Sequence, residues 1–336
     1  MTDHSLIVRA PARIHFGLFS IGGAERQFGG MGVMIDSPET AIQIGPADKL
    51  QIAGPRSDTV AKLVDRWFEK FKQRFPQISQ AADLPLRLEL QSCPPSHSGF
   101  GSGTQLAFAV AHALFRSMEL TVPAVEEVAG AMGRGRRSAI GSYGFSQGGF
   151  LVDSGIGPGE SISPLEFRCD FPDEWRIVIA RPSAVQGVHG KLESQAFDKL
   201  VACEANRERL SVLCREQIVP AIRTCDYQAL GEPLAEFNEI SGEYFKEYQH
   251  GCYHSELCEC IVRDIQSFGV PAVGQPSWGP ALFSITENAE TAEQLGNYLI
   301  GKYQADLGGK IEISITQANN RGAVISVGSL APATKP

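Results

Sequence analysis

Residues 94–114 read PPSHSGFGSGTQLAFAVAHAL, and no other run constrains the fold as much. Glycines at 99, 101 and 103 sit in a loop between a strand pattern and an Ala/Leu-rich helix pattern that begins near Thr104. The strand pattern is Leu84, Leu86, Leu88 and Leu90 alternating with Pro85, Arg87, Glu89 and Gln91, the period of a half-buried strand. The helix is apolar on most sides, which predicts that it is buried. A glycine loop entering a helix N-terminus presents unpaired N–H groups and the positive end of the helix dipole to an anion. Ser102 and Thr104 add hydroxyls that can donate to a phosphate or ligate a metal ion. The loop lacks the Lys of a P-loop, and its G-x-G-x-G spacing departs from the dinucleotide fingerprint. A glycine turn that merely caps a helix is the plainer reading of the same residues.

The chain has 336 residues, enough for two domains or one large one. Hydrophobic residues at 43% against 20% charged exclude an intrinsically disordered chain. A net charge of −8 argues against a general nucleic-acid binder. It leaves room for a small anion held by a local group of arginines. The start, MTDHSLIVRAPARIHFG, has no basic segment followed by an apolar one, so no signal peptide is expected. No uncharged apolar run approaches the roughly 20 residues of a membrane span. Eight cysteines without a CxxC pair fit a reduced, cytoplasmic protein.

The overall pattern is α+β. A helix is predicted over 58–75, with Val60, Leu63, Val64, Trp67, Phe68 and Phe71 on one face. Strands are predicted at 149–155, 176–182 and 310–318. Helices are predicted at 191–217, 226–249, 254–267 and 288–303, the third ended by Gly269. The pattern breaks near 157–166 at GPGESISP, which suggests domains 1–160 and 161–330 and a tail 331–336.

PARIHFG at 11–17 and the glycine loop at 94–107 resemble the first two motifs of the GHMP superfamily of small-molecule kinases. One branch is more similar still. RIHFGLFSIGGAERQFGGMGVMID, HSGFGSGTQLAFAVAHAL, GVHGKLESQAF and GQPSWGPALF resemble the β-ribofuranosylaminobenzene 5′-phosphate synthase family across nearly the whole chain. The resemblance implies an N-terminal domain with a left-handed βαβ crossover, a C-terminal ferredoxin-like domain and a cleft between them. Where the kinases carry an Asp base before a Gly-Gly pair, this chain has SAIGSYGFSQGG, with Gly141 at the Asp position. No other carboxylate occurs between Glu127 and Asp153, and a base must reach the hydroxyl it serves. The third motif, a glycine-rich loop in the kinases, is GQPSWGP here.

The resemblance therefore implies a reaction other than phosphoryl transfer: phosphoribosyl pyrophosphate joined to 4-hydroxybenzoate or 4-aminobenzoate, with loss of pyrophosphate and carbon dioxide. Magnesium is expected beside the leaving pyrophosphate, carried by the substrate phosphates with Ser102 or Thr104 as a candidate protein contact, and no organic cofactor is expected. Ser98, Gly99, Gly101, Ser102, Gly103, Thr104 and Gln105 are the expected phosphate-binding set, with Arg136, Gln275 and Ser277 beside them. Arg13 or Arg26 is expected to hold the benzoate carboxylate by a bidentate contact. Phe16, Phe145 and above all Trp278 are expected walls for the ring. His15 is a proton shuttle, a phosphate ligand or a hydrogen-bonded structural residue. Glu193 is a ligand for Mg²⁺ or a ribose hydroxyl, or a helix cap, with Lys191 and His189 as weaker candidates beside it.

Arg134, Arg136 and Arg137 either grip phosphates or form a solvated loop. HGCYHSELCEC at 250–260 is read as packing rather than zinc ligation, because Cys258 and Cys260 fall on different sides of a helix. Asn319, Asn320 and Arg321 are expected to close over the site. Two other classes stay open at this stage: an ATP-dependent small-molecule kinase and a non-catalytic sensor of phosphometabolites. No nucleic acid or membrane partner is expected, and a homodimer is compatible with the class.

Overall fold

The computed structural model describes residues 5–20, 25–74, 76–96, 98–182, 203–276, 280–306 and 311–328. The first sheet is built from β1 (Ser5–Ser20), β2 (Phe28–Pro46), β3 (Gln51–Ala53), β4 (Leu86–Ser92), β5 (Phe150–Asp153) and β6 (Leu165–Cys169). The alternating leucines behave as their period requires: Leu86, Leu88 and Leu90 of β4 are buried, while Arg87 and Glu89 pair on the other face. β3 runs parallel to β4, and the crossover between them is α1 (Ser57–Phe71). All six apolar residues of the predicted stripe are buried on α1.

That stripe packs on α2 (Ser102–Ser117), where Trp67 meets Phe115 edge-on with ring centroids 5.2 Å apart. α2 starts at Ser102, two residues before the predicted start, because Gly101 adopts the left-handed conformation that ends the loop. α3 (Val125–Met132) and α4 (Ile140–Gln147) complete this layer.

The second sheet begins with β7 (Arg176–Pro182). Three helices follow: α5 (Glu204–Val212), α6 (Val219–Arg223) and α7 (Tyr227–Glu243), with a π-helical turn at Leu213–Ile218 between the first two. Then come α8 (Glu256–Ser267), β8 (Val273–Gly274), β9 (Leu282–Thr286), α9 (Ala289–Asp306) and β10 (Ile311–Thr316). The strand order is β10-β7-β9-β8 with every pair antiparallel, the ferredoxin-like order expected from the resemblance. Ser255 caps α8 by accepting from the Cys258 N–H at 3.2 Å. Cys258 is buried, its thiol turned to the Pro280 carbonyl.

Sheet membership does not follow the expected break at 157–166. β6 lies beyond that break yet pairs with β5, and β11 (Val324–Gly328) returns to the first sheet beside β1. Strand pairing, and not the Gly/Pro-rich turn, decides where the first sheet ends.

The two sheets share a core. Phe16 of β1 stacks on Phe150 of β5 and Phe283 of β9, at centroid distances of 6.1 and 5.0 Å. Phe16 is fully buried there, so it is core and not the wall of a ligand slot. Phe145 is likewise buried, against Phe108 and His112. No helix among the described residues is long and apolar enough to cross a membrane.

Candidate active site

A cavity of about 590 Å³ opens where β1, the start of α2, the 133–138 loop and α7 converge. The glycine loop forms one edge. Gly99 (φ 89°) and Gly101 (φ 65°) take conformations that L side chains rarely adopt. A Cβ on Gly99 would lie 2.9 Å from the Pro276 carbonyl oxygen, so the loop rests directly on the third-motif segment. A Cβ on Gly101 would lie 3.1 Å from Arg13 Nε, and one on Gly103 would lie 3.3 Å from Arg134 Nη1. Two guanidinium groups thus flank the loop at glycines two residues apart. Ser98, Ser102 and Thr104 line the same edge. Ser98 Oγ donates to the Pro95 carbonyl at 2.7 Å, which holds the loop's entry.

Arg13, Arg56, Arg134, Arg136 and Arg137 all line the cavity, and no described lining residue is a carboxylate. Burial lowers the pKa of Arg13 to about 10, opposed by the charge of Asp153, so Arg13 stays cationic at neutral pH. Its Nη1 is buried without a hydrogen-bond partner, as is Nε of Arg134. An unpaired buried guanidinium N–H costs free energy, and an anion removes that cost.

The other described lining residues include a group without charge. It is made by Leu18, Asn238, Ser241, Phe245, Gln249 and Gln275 among others. Asn238 of α7 ties two motifs together: its Nδ2 donates to the Phe16 carbonyl at 2.7 Å and the Gln275 carbonyl at 3.0 Å. Gln275 returns a bond from its N–H to Asn238 Oδ1 at 2.8 Å. Phe100 and Phe245 are among the described lining residues.

The floor holds a chain of hydrogen bonds. Gly17 N–H donates to His15 Nδ1 at 3.2 Å, so the ring proton sits on Nε2, which faces Ser138 Oγ at 3.0 Å. Ser138 Oγ donates to Asp153 Oδ2 at 2.9 Å. The same carboxylate accepts from Ala139 N–H at 2.8 Å and from Ser163 Oγ at 2.6 Å, and it sits at the start of α4. Burial, reinforced by the charge of Arg13, pushes the His15 pKa well below 6.5, so the imidazole is neutral. Burial raises the pKa of Asp153, against the four hydrogen bonds that favour its charged form.

Most of the loop set predicted from sequence meets at this cavity: Ser98, Gly99, Gly101, Ser102, Gly103 and Thr104. Arg13, His15, Arg136 and Gln275 join them. Gln105 does not. It is fully buried, and its Nε2 donates to the Gly141 carbonyl at 2.7 Å, so it joins α2 to α4. Arg26 is also absent from the lining. Its guanidinium binds the Gly155 carbonyl at 2.8 Å and pairs with Glu160, bracing the loop after β5. Asn320 binds the Phe171 backbone at 2.8 and 2.9 Å, and neither it, Asn319 nor Arg321 lines the cavity. Glu193, Lys191, His189, Ser277 and Trp278 lie outside the described residues.

Sequence reasoning missed Arg56, Ser138, Asp153 and the uncharged group. Asp153 lies just past the stretch where the kinases carry their base, and it acts on the site through its hydrogen bond from Ser138 and its charge on Arg13. Gly141 does not line the cavity, and its carbonyl is taken by Gln105.

Residues 61–146 match the GHMP kinases N terminal domain. Over 336 aligned residues, 95% of this chain and 98% of the relative, the chain is 32% identical to a beta-ribofuranosylphenol 5′-phosphate synthase of Methanothermobacter thermautotrophicus. The chain belongs to the β-ribofuranosylphenol 5′-phosphate synthase family. A second member, from Archaeoglobus fulgidus, is 28% identical over 96% of this chain and 100% of its own length. The fold is that of the GHMP kinases: homoserine kinase from Cytophaga hutchinsonii superposes with a TM-score of 0.64 at 16% identity, covering 97% of this chain and 98% of that one. As a synthase family member the chain is an enzyme, and the arginine-lined cavity is its candidate active site.

Proposed function

We propose that this cavity joins phosphoribosyl pyrophosphate to a 4-substituted benzoate. In this reading the bond from the ribose anomeric carbon to pyrophosphate breaks, and pyrophosphate leaves with the electron pair. The ring carbon that bears the carboxylate bonds to the anomeric carbon. The carboxylate then leaves as carbon dioxide, and its bonding pair restores the aromatic ring. The relatives' name has a phenol in the product, which favours 4-hydroxybenzoate over 4-aminobenzoate as the acceptor.

The observation that carries the reading is the lining of the cavity: five arginines and no carboxylate among the described residues, gathered with the glycine loop, together with uncharged groups such as Phe245 and Leu18. Both substrates are anions; pyrophosphate leaves as an anion, while carbon dioxide leaves neutral and its bonding pair offsets the positive charge of the ribosyl carbon. Arg13 stands at Gly101 beside the ring of Phe100, placed to hold the benzoate carboxylate. Orientation of two bound reactants, with water kept from the anomeric carbon, is the main contribution asked of the protein.

Magnesium belongs with the donor's own phosphates in this reading. Ser102 and Thr104 offer hydroxyls, but without a lining carboxylate the described residues do not make a resident site for so hard a cation. The reaction as written needs no organic cofactor.

The test is product analysis by mass spectrometry with both benzoates in separate reactions, and ATP with candidate sugars and alcohols in a third. A ribosylated phenol or aniline 5′-phosphate formed without ATP supports the reading. A phosphorylated alcohol formed from ATP, with neither benzoate consumed, refutes it.

A further inference from the structure

Arg56 and Arg134 reach the glycine loop from separate elements. Arg56 ends the turn between β3 and α1 with φ 58°, and its Nη1 donates to Cys93 Sγ at 3.2 Å. Arg134 follows Gly133 at the end of α3, and its Nη1 lies against Gly103, where α2 begins. Arg66 of α1 stands behind them, with Nε donating to the Ala131 carbonyl at 2.7 Å.

These three guanidinium groups share one corner. Burial, together with the charges of Arg66 and Arg56, lowers the pKa of Arg134. None of the three has a carboxylate partner among the described residues, and Nε of Arg134 is buried without any partner. Like charges gathered this way oppose folding and attract a compact, highly charged anion. The helix N-terminus beside them adds partial positive charge in the same place. Leu18, Ser241 and Phe245, also among the described lining residues, carry no charge.

We propose that Arg56 and Arg134, with the first backbone amides of α2, form the subsite for the diphosphate group of the donor. The assignment rests on the reading above and adds which corner takes the leaving group. The ribose 5′-phosphate then lies elsewhere in the cavity, and Arg13, at Gly101, stays available to the acceptor.

The experiment is calorimetric titration of the full chain with inorganic pyrophosphate, and separately with ribose 5-phosphate, for wild type, Arg56→Gln and Arg134→Gln. Each substitution is expected to weaken pyrophosphate binding by about tenfold or more, the loss of one charge-assisted contact. Ribose 5-phosphate affinity is expected to stay within about twofold, a change worth less than a single hydrogen bond. Without ligand, Arg134→Gln is expected to melt at or above the wild-type temperature, since a like-charge repulsion is removed. Pyrophosphate is then expected to raise the wild-type melting temperature and leave that of the variant nearly unmoved.

Unchanged pyrophosphate affinity in both variants overturns the assignment, as does selective loss of ribose 5-phosphate binding. A lower melting temperature without ligand, with both ligands weakened together, identifies a structural role and also overturns it. The outcome is separable from the reaction itself. A wild type that binds pyrophosphate through these arginines yet makes no ribosylated product keeps the subsite and loses the reading. Turnover with variants of normal pyrophosphate affinity does the reverse.

Discussion

His15 Nε2 lies 3.0 Å from Ser138 Oγ, a residue 123 positions later in the chain. Ser138 hands the chain of donors on to Asp153, and the three side chains close the floor beneath Arg13. With Nδ1 accepting from Gly17, neither ring nitrogen of His15 is left for a substrate proton. His15 is therefore a positioning residue. It holds β1 and the arginine-bearing 133–138 loop in fixed relation, and Asp153 supplies the buried counter-charge for Arg13.

Removing the middle of that chain has a predictable cost. Ser138→Ala leaves the His15 Nε2–H and one lone-pair site of Asp153 unpaired in a buried place. The expected loss is about 1–3 kcal/mol, read from the urea midpoint at pH 7. A midpoint equal to that of wild type contradicts the chain as drawn.

Acid should weaken the fold through His15. Its folded pKa lies well below 6.5, so the unfolded state binds the proton first as pH falls. Stability is then fully present above pH 6.5 and drops below it by up to about 1.4 kcal/mol per pH unit. His112, lowered to about 4 by burial and the charge of Arg116, adds a similar slope over the same range. Denaturation at pH 7, 6 and 5 should show the combined fall, and His15→Gln should retain only the His112 share. An equal slope in the variant would remove His15 from this account.

Gly101→Ala tests the loop geometry. Its φ of 65° strains any L residue by about 1–2 kcal/mol. The new methyl would also press on Arg13, whose Nε lies 3.1 Å from the position the methyl carbon would take. Thermal melting should fall accordingly, and the KM for the donor should rise. A variant as stable and as active as wild type would mean the loop relaxes at no cost.

Ionic strength should act on substrate capture. A cavity lined by several arginines, with no carboxylate among the described lining residues, attracts anions through a field that salt screens over roughly 8 Å at physiological strength. The KM for the donor should climb several-fold between low salt and half-molar salt, while kcat changes little. A KM insensitive to salt would argue that the arginines are not what the donor meets.

Much of this fold could be read in advance where local pattern and burial agree. The six apolar residues of α1 and the leucines of β4 follow from period. The glycine loop was legible because positive φ and close approach leave a compositional trace. Relations across long sequence separations left none. Pairing of β11 with β1 depends on strand edges at opposite ends of the chain. Arg56 is a single Arg in a turn, and only the packing of α1 on α2 and α3 brings it to Arg134. Phe16 and Phe145 have the composition of a ligand wall, and only packing shows that neighbouring rings already cover them.

Ribosyl transfer coupled to loss of the acceptor's carboxylate has a direct readout. Carbon dioxide from carboxyl-labelled 4-hydroxybenzoate and pyrophosphate from phosphoribosyl pyrophosphate are followed in the same reaction, without ATP. The account predicts that the two are released one to one and that each requires the other substrate. Pyrophosphate released without carbon dioxide, or in the absence of the benzoate, would contradict it.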